Sequence, residues 1–428
     1  MKDRVILHCD CNAFFASVET LLDPSLRDVP MAVTGDPKER HGVILAKNER
    51  AKAFGVKTAE TIREAKAKCP SLVCVLPHYD EYHRVSREIN RIYLDYTDLV
   101  DPFGIDESFL DVTGSLRYFG MTEKELADTV RERIKHEIGI TISVGVSFCR
   151  VLAKLGSDYK KPDATTVLDR ENYKELIYPL PVSDLLYAGK KTTEALAKIG
   201  IRTIGNLASA DARLIGDYLG EAGLKLLSYA RGEDDSPVRS FFDREKPKSI
   251  GNGMTFRRDL FGEGEIRAGL LALCDAVSAR LRDEEMKAFV VQVQVKDPNL
   301  RTIQRQTTLK TATWLCQELF QTALSLVRES YGVSRPIRAL TVTASSLVPK
   351  DEVHEQLSFF ESEGSNERQE RLEGAIGEIR QRLGKGSIHL GAYESPELGI
   401  GAFGRDRSEK TTKKSKSTQE TRSNPIKK

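Results

Sequence analysis

The first 25 residues change from an unbroken apolar run to a helical spacing of apolar positions. The run RVILHCD predicts a short buried strand, and NAFFASVETLL then places Phe14, Val18 and Leu22 on one helical stripe. Asn12 is the expected N-cap of this helix. Asp10 therefore lies where the strand ends and the helix begins, a position at which α/β folds gather functional groups.

Strand and helix patterns alternate through the next 150 residues. Amphipathic helices are predicted over 80–96 and 121–137. Between them, LVDPFGIDESFLDVTGS predicts two short strands around a tight turn at Asp101–Gly104. TISVGVSF predicts a further strand that leads into the basic helix CRVLAKLGSDYKK. The alternation favours a mixed α/β fold, and short helices separated by glycines follow from Glu171.

The pattern of the last third predicts a separate unit. From Ser249 the order is strand, helix, strand, strand, helix, strand, which predicts a βαββαβ arrangement with a four-stranded sheet and its helices on one face. In FVVQVQV the core-facing positions are predicted to be Phe289, Val291, Val293 and Val295. A charged helix is expected near 369–383. The tail that follows it has few apolar residues and is expected to be disordered.

Composition limits the class of protein. A chain of 428 residues predicts several domains. The net charge is +2, but 404–428 holds nine Lys/Arg against three Asp/Glu, so the bulk charge does not indicate a nucleic-acid partner. Seven scattered cysteines without a CxxC pair indicate reduced thiols. No apolar run is long enough for a signal peptide or a membrane span, and a cytoplasmic protein is expected.

The segment GIDESFLDV places three carboxylates close together in an apolar setting. Asp106 and Glu107 begin a predicted strand, and Asp10 ends another, so the three can converge if the strands are neighbours. Such a group suits Mg²⁺, and two ions can activate an attacking hydroxyl and stabilise a leaving oxygen. Asp111 is expected to be a structural hydrogen-bonding residue. The pattern alone leaves open the alternative that these residues only decorate an exposed hairpin.

Four motifs carry a resemblance to a known family. CDCNAFFASVE, AKAFGVKT, GIDESFLDVTGS and SVGVSFCRVLAKLGSDYKKPDATTV occur in the order and at the spacing found in the Y-family, translesion DNA polymerases. The similarity continues through AGKKTTEALAKIGIRTIGNLA and KSIGNGMTF, over about 350 residues, with features of both the DNA polymerase IV and UmuC branches. The resemblance implies two catalytic Mg²⁺ ions held by Asp10, Asp106, Glu107 and the backbone carbonyl of Cys11.

The resemblance also implies an α/β multidomain fold, a polymerase right hand with an added domain. The implied order is palm (1–30 and 76–168), fingers (31–75), helical thumb with a helix-hairpin-helix (169–236), linker (237–248), βαββαβ little finger (249–350), clamp-binding motif and C-terminal helix (351–403), and disordered basic tail (404–428).

Several residues are implied to contact the nucleotide. If Phe14 is in the core, Phe15 is turned about 100° away from it on the helix and can face the nucleotide. In the family, an aromatic residue at the position of Phe15 is a steric gate against the ribose 2′-hydroxyl. Phe14, Lys52 and Lys161 are the other implied nucleotide-binding residues. Glu49 replaces the tyrosine of the DNA polymerase IV branch, which leaves the triphosphate site open at that point.

Two basic regions are implied to hold primer-template DNA. In the thumb, glycines are expected to expose helix-start amides to a phosphate, and the candidates are Gly189, Lys190, Lys191, Gly200 and Gly205. Tyr187 departs from the glycine usual there. In the little finger a positive patch is predicted to contact phosphates, and its members are Lys246, Lys248, Arg257, Arg258, Arg301 and Arg305.

The segment EQLSFFE contains apolar side chains in a charged connector, which favours a docking peptide. Gln356, Leu357, Ser358, Phe359 and Phe360 resemble the peptide by which bacterial polymerases bind the replication sliding clamp. The resemblance thus implies an error-prone, monomeric, nucleoid-associated polymerase that uses deoxynucleoside triphosphates. Two other classes stay open, a nucleotidyl cyclase built on a related palm and a non-catalytic, clamp-tethered repair scaffold.

Overall fold

The structure is a computed structural model that describes residues 3–36, 42–243, 245–352, 365–384, 387–388 and 396–400. The chain forms two compact units, Met1–Arg244 and Glu245–Lys428, each with its own core. Within the described ranges, every helix is too short or too polar to cross a membrane.

The first unit alternates strands and helices and then becomes helical. Its elements are β1 Ile6–Cys11, α1 Phe14–Leu22, β2 Met31–Thr34, β3 Ile44–Lys47, α2 Glu49–Ala53, α3 Ile62–Lys68, β4 Val73–Val75, α4 Tyr79–Leu94, β5 Val100–Pro102, β6 Glu107–Asp111, α5 Ser115–Phe119, α6 Glu123–Glu137, β7 Ile142–Ser147, α7 Arg150–Tyr159, β8 Thr165–Leu168, α8 Tyr173–Ile177, α9 Lys190–Lys198, α10 Ile204–Ala208 and α11 Ala212–Ala230.

The central sheet of the first unit has the strand order β5-β6-β1-β7-β8. Strand β1 pairs antiparallel with both β6 and β7, and all six of its residues are buried, as its apolar run predicts. Helices α1, α4 and α6 bury their apolar stripes on one face of this sheet. A second sheet, β3-β2-β4, packs with α2 and α3 in the range predicted for the fingers.

The second unit confirms the βαββαβ prediction. It contains β9 Ser249–Leu260, α12 Gly262–Asp283, β10 Met286–Lys296, β11 Thr302–Thr313, α13 Cys316–Ser330, β12 Ile337–Pro349 and α14 Ser365–Leu383. Its sheet has the order β11-β10-β12-β9, with every neighbouring pair antiparallel. Apolar residues of α12 and α13 form one core with the inner face of the sheet.

Two local predictions are wrong. Phe289 is only partly buried, because the pairing of β10 with β11 shifts register between Ala288 and Val290, which breaks the alternation at this point. Asn12 is not the N-cap of α1. The N-cap is Ala13, whose backbone is in the left-handed region (φ 48°). The side chain of Asn12 instead donates to Ser143 Oγ (2.9 Å) and accepts from the amide of Asp163 (2.9 Å).

Candidate active site

Strand pairing brings the predicted carboxylates together. In the antiparallel register of β1 and β6, Asp10 lies directly opposite Glu107. Asp106 comes just before β6, and its carbonyl accepts a hydrogen bond from the amide of Cys11 (3.0 Å). The side chain of Asp111 lies elsewhere and accepts from the amide and hydroxyl of Thr113, as expected for a structural residue. The three carboxylates therefore lie at one end of two central strands.

Two glycines let α7 approach the sheet closely behind these carboxylates. A Cβ atom placed on Gly145 of β7 would lie 1.9 Å from the carbonyl oxygen of Ala153 and 2.4 Å from the amide of Ser157. A Cβ atom on Gly156 of α7 would lie 3.0 Å from the Cα of Gly145. Because no side chain separates the helix from the strand here, α7 can deliver polar groups to the end of β1.

Lys154 is the polar group that α7 delivers, and the sequence analysis did not select it. Its ammonium nitrogen lies 3.1 Å from Asp10 Oδ2 and 3.0 Å from Glu107 Oε1. Lys161, which was selected, lies 2.7 Å from the same Asp10 oxygen. Asp158 contacts both lysines, at 3.4 and 2.8 Å. The signal that could have found Lys154 is its i, i+4 spacing from Asp158, which places the two side chains on one face of α7.

The lysines neutralise the carboxylates unequally. Burial disfavours the charged form of Glu107, but contacts with His8 and Lys154 outweigh it and lower the pKa of Glu107 to about 2. Burial, together with the negative charges of Asp10 and Glu107, raises the pKa of Asp106 to about 6. Asp106 is therefore the carboxyl group of the three whose negative charge is least compensated.

His8 supports this cluster from inside the sheet. It is fully buried, with Nε2 3.3 Å from Glu107 Oε2 and Nδ1 2.8 Å from Ser157 Oγ on α7. Burial lowers the pKa of His8, so the neutral imidazole is favoured. The ring also packs against Phe109, with ring centroids 4.6 Å apart. His8 thus connects the carboxylate end of β6 to α7.

Three carboxylate side chains close together concentrate negative charge, and such a group suits a hard divalent cation. In the part of the chain that the structure describes, however, no three His, Cys, Asp or Glu side chains meet in an arrangement ready to hold a metal ion. The ammonium group of Lys154 lies between Asp10 and Glu107 and supplies the positive charge there. The donor set fits a cation, and the lysine contacts show that this pocket accepts positive charge.

The two adjacent phenylalanines face different surroundings, as the helical period predicts. Phe14 is 2% exposed and belongs to the core of the central sheet. Phe15 is partly exposed and stacks on Tyr82 of α4, with ring centroids 4.3 Å apart and an interplanar angle of 13°. Tyr79 of the same helix meets Phe15 edge-on at 6.0 Å. Neither tyrosine was selected from the sequence, because a contact between two helices leaves no local pattern.

The remaining nucleotide candidate has a different partner in the structure. Lys52 lies on α2, where its ammonium group is 3.2 Å from Glu49 Oε1. Both side chains are more than half exposed, so this contact contributes little to stability. Glu49, which replaces the family tyrosine, thus offsets the charge of the neighbouring lysine.

The helical region presents only part of the predicted phosphate site. Gly189 is the N-cap of α9. Because glycine has no side chain, it cannot accept a hydrogen bond from the first amides of the helix. Lys190 and Lys191 on this first turn are exposed. The amides of Gly200 and Gly205 themselves donate within the protein, to the carbonyls of Ala197 (3.2 Å) and Tyr178 (3.0 Å).

Packing explains the second of these glycines. A Cβ atom on Gly205 would lie 2.9 Å from Tyr178 Cβ, so its role is a close helix contact rather than phosphate access. Tyr187, which departs from the family glycine, adopts a left-handed conformation (φ 69°) that glycine would favour, and its ring is 63% exposed.

The two arginines proposed for DNA in the second unit both lie on β9. Arg257 is exposed on β9. Arg258 makes two hydrogen bonds to Glu265 (2.7 and 2.9 Å), which reduces its free charge. The clamp-binding candidates Gln356, Leu357, Ser358, Phe359 and Phe360 and the basic tail 404–428 lie outside the described residues.

Comparison with known proteins places this geometry in a family. The chain matches the impB/mucB/samB family over residues 9–158 and the C-terminal domain of that family over 247–359. DNA polymerase IV of Acetivibrio thermocellus is 44% identical over 389 residues, which is 91% of this chain and 97% of that protein. DNA polymerase IV 1 of Bacillus subtilis is 34% identical over 91% of this chain and 93% of that protein.

A solved Y-family DNA polymerase chimera has the same fold. It is 21% identical to this chain, covers 81% of it with 99% of its own length, and superposes with a TM-score of 0.70. The chain belongs to the impB/mucB/samB family of Y-family DNA polymerases. The relatives reported above carry the name DNA polymerase IV, which favours that branch over the UmuC branch.

Proposed function

We propose that the protein is an error-prone translesion DNA polymerase that adds deoxynucleotides to a primer 3′ end by two-metal nucleotidyl transfer. The observation that carries the proposal is the pairing of Asp10 with Glu107 across β1 and β6, with Asp106 directly before Glu107 and its carbonyl bonded to the amide of Cys11. The family assignment supports the reaction class. Nucleotidyl transfer needs concentrated negative charge that can hold cations against phosphates, and this pocket has it.

Divalent metal dependence is general among DNA polymerases, and the donor set here fits it. We assign two Mg²⁺ ions to Asp10, Asp106, Glu107 and the backbone carbonyl of Cys11. Bound there, the ions would activate the primer hydroxyl and stabilise the leaving pyrophosphate oxygen. The high pKa of Asp106 supports this assignment, because a nearby cation would favour the charged form of a carboxyl group that the protein itself compensates poorly.

The two lysines next to Asp10 have different tasks in this proposal. Lys161 is 31% exposed, so its ammonium group can turn from Asp10 to the triphosphate of an incoming nucleotide. Lys154 is 16% exposed and contacts Asp10 and Glu107 from behind. It keeps the two carboxylates oriented and limits their repulsion before a cation binds. Lys52 is a further candidate for the triphosphate.

Phe15 is the proposed steric gate, because it is the partly exposed ring one helical step beyond the buried Phe14. Primer-template DNA would be held by the first turn of α9, through Gly189, Lys190 and Lys191, by the turn at Gly200, and in the second unit by Arg257 and Arg258. These contacts carry no sequence information, which suits a polymerase that must accept damaged templates.

We assign the replication sliding clamp to the segment Gln356–Phe360. Binding there would raise the local concentration of a monomeric enzyme at the primer end and so increase processivity without changing the chemistry. The same tether would place the protein at the nucleoid.

The test is primer extension by the full chain across a template lesion, with Mg²⁺ and with a chelator. The proposal expects metal-dependent insertion opposite the lesion and beyond it. The second candidate, a non-catalytic repair scaffold tethered to the clamp, expects clamp and DNA binding without insertion on any template. Insertion on undamaged DNA alone would contradict the translesion assignment but keep the polymerase.

A further inference from the structure

Tyr82 connects two points on one face of α1. Phe15 and Glu19 are four residues apart on that helix, so they lie one turn apart on the same side. The ring of Tyr82 stacks on Phe15, and its hydroxyl donates a hydrogen bond to Glu19 Oε1. Tyr82 is fully buried, so neither contact is weakened by water. The tyrosine is therefore held at both ends by α1.

Glu19 is a carboxylate that the apolar packing of α1 on α4 does not require. It is 2% exposed, and the other buried residues of α1 are the apolar Phe14, Ala16 and Val18. Its oxygens accept hydrogen bonds from Tyr82, from the amide of His78 (3.2 Å) and from His78 Nδ1 (2.9 Å). Burying a carboxylate is unfavourable, and well-packed apolar residues often stabilise such a site as well or better.

A buried carboxylate with three donors fixes geometry. Its partners on α4 are His78, which is the N-cap of the helix, and Tyr82, one turn further along. Together they set the position of the α4 start, and with it the rings of Tyr82 and Tyr79 that contact Phe15 on its face and edge. The position of the Phe15 ring thus depends on a carboxylate whose hydrogen bonds go to His78 and Tyr82.

We infer that Glu19 is a positioning residue for sugar discrimination, which acts by holding Tyr82 against Phe15. The inference rests on the proposed role of Phe15 as steric gate. A deoxyribose and a ribose differ by one hydroxyl group, so a steric gate must be placed to within about 0.5 Å to reject one and accept the other. Loosening Tyr82 lets the Phe15 ring move and admits the larger sugar.

The test compares Glu19→Gln and Tyr82→Phe with a matched control, Glu88→Gln. Glu88 is also a carboxylate of the α1 and α4 pair, but it is partly exposed and contacts Arg84. For each variant, kcat/KM is measured for a deoxynucleotide and the corresponding ribonucleotide on undamaged template, and thermal unfolding is recorded. Each change is also made in a Phe15→Ala background.

We expect Glu19→Gln and Tyr82→Phe each to lower the deoxy-to-ribo ratio of kcat/KM by roughly threefold to tenfold, the range set by one hydrogen bond. The loss should come mainly from faster ribonucleotide insertion. In the Phe15→Ala background the same changes should leave the ratio unaltered, because the ring they position is gone. Glu88→Gln should match the parent in both backgrounds.

Three results would overturn the inference. If Glu19→Gln lowers the unfolding temperature but not the ratio, Glu19 is only structural. If it lowers the ratio equally with and without Phe15, it acts by another route. If Phe15→Ala alone leaves sugar selectivity unchanged, the gate assignment itself fails and the inference fails with it. Metal-dependent extension by the parent enzyme would still stand in that case, so the two failures are distinguishable.

Discussion

Lys154 of α7 contacts Glu107 of β6, with its ammonium nitrogen 3.0 Å from Oε1. This contact connects α7 to the carboxylates at the end of the central strands. The contact exists because Gly145 and Gly156 remove the side chains that would hold α7 away. The same ammonium group reaches Asp10. A positive charge in this position competes with a metal ion for the carboxylates, and this gives the first prediction.

Replacing Lys154 by Gln should destabilise the metal-free protein and increase its response to Mg²⁺. Breaking a fully buried pair costs about 3–5 kcal/mol, and we expect about 1–3 kcal/mol here because Glu107 is partly exposed. The site then carries more uncompensated negative charge, so added Mg²⁺ should raise the unfolding temperature of the variant more than that of the parent. Calorimetry with chelator and with Mg²⁺ measures both effects.

Lys124→Gln is the control, since Lys124 contacts an aspartate four residues along its helix just as Lys154 contacts Asp158. Lys124 is exposed and Asp128 partly exposed, so the loss of this pair should change little. An equal Mg²⁺ response in the parent and in Lys154→Gln would contradict the account.

The pKa of Asp106 gives a pH-dependent prediction for the chelated protein. The folded-state pKa of about 6 lies above the ordinary value of 3.8, so the folded state binds more protons than the unfolded state between these values. The stabilising effect is fully present below pH 3.8 and is lost as the pH rises through 6. Asp106→Asn should therefore be more stable than the parent at pH 7.5, by about 1–3 kcal/mol, with a much smaller difference at pH 4.5.

Calorimetric unfolding in chelator at both pH values measures this difference. A variant less stable than the parent at pH 7.5 would contradict the account, because it would mean that the negative charge of Asp106 stabilises the folded protein. Adding Mg²⁺ should reverse the order at pH 7.5, because the parent can bind the ion with its full carboxylate set and the variant cannot.

Much of the site could be predicted because strand ends and helical periods are local. The strand RVILHCD and the turn before ESFLD locate Asp10, Asp106 and Glu107, and the 100° step of a helix separates Phe14 from Phe15. These inferences need only the residues within a few positions. The resemblance to a family then supplied the roles.

The rest depended on contacts between elements far apart in the chain. Lys154 reaches Glu107 because of two glycines that meet across a helix and a strand, and Tyr82 meets Phe15 across two helices. Asn12 was misassigned for the same reason, since its partners lie more than 130 positions away. Periodicity specifies which face a residue occupies but not what lies opposite.

Lys161 offers a prediction with a neighbouring control. Lys161→Ala should lower kcat/KM for deoxynucleotide insertion by roughly tenfold to a hundredfold, the effect of losing one charge-assisted contact to phosphate. Lys160→Ala, one position away and exposed, should stay within about twofold of the parent. Single-nucleotide insertion kinetics measure both. Equal effects would show that general positive charge, rather than the position beside Asp10, is what matters.

The clamp assignment is tested by replacing Gln356, Leu357 and Phe360 together with Ala. Clamp-stimulated synthesis should fall to the level seen without clamp, because the glutamine orients the peptide and the apolar side chains fill a pocket. Clamp-independent insertion should remain nearly intact. Ser362→Ala is the matched control and should keep full stimulation. A joint loss of both activities would assign the segment to the fold instead.

The most direct test of the central claim is the rate of single-nucleotide insertion as a function of Mg²⁺ concentration for Asp106→Ala and Glu107→Ala, beside Asp111→Asn. Asp111 is an acidic residue of the same strand whose carboxylate contacts Thr113, outside the pocket. The account predicts that the two alanine variants lose at least about 10²-fold in rate at saturating Mg²⁺, as expected when several kcal/mol of charge stabilisation are removed, while Asp111→Asn retains activity. Near-parental insertion by either alanine variant would contradict it.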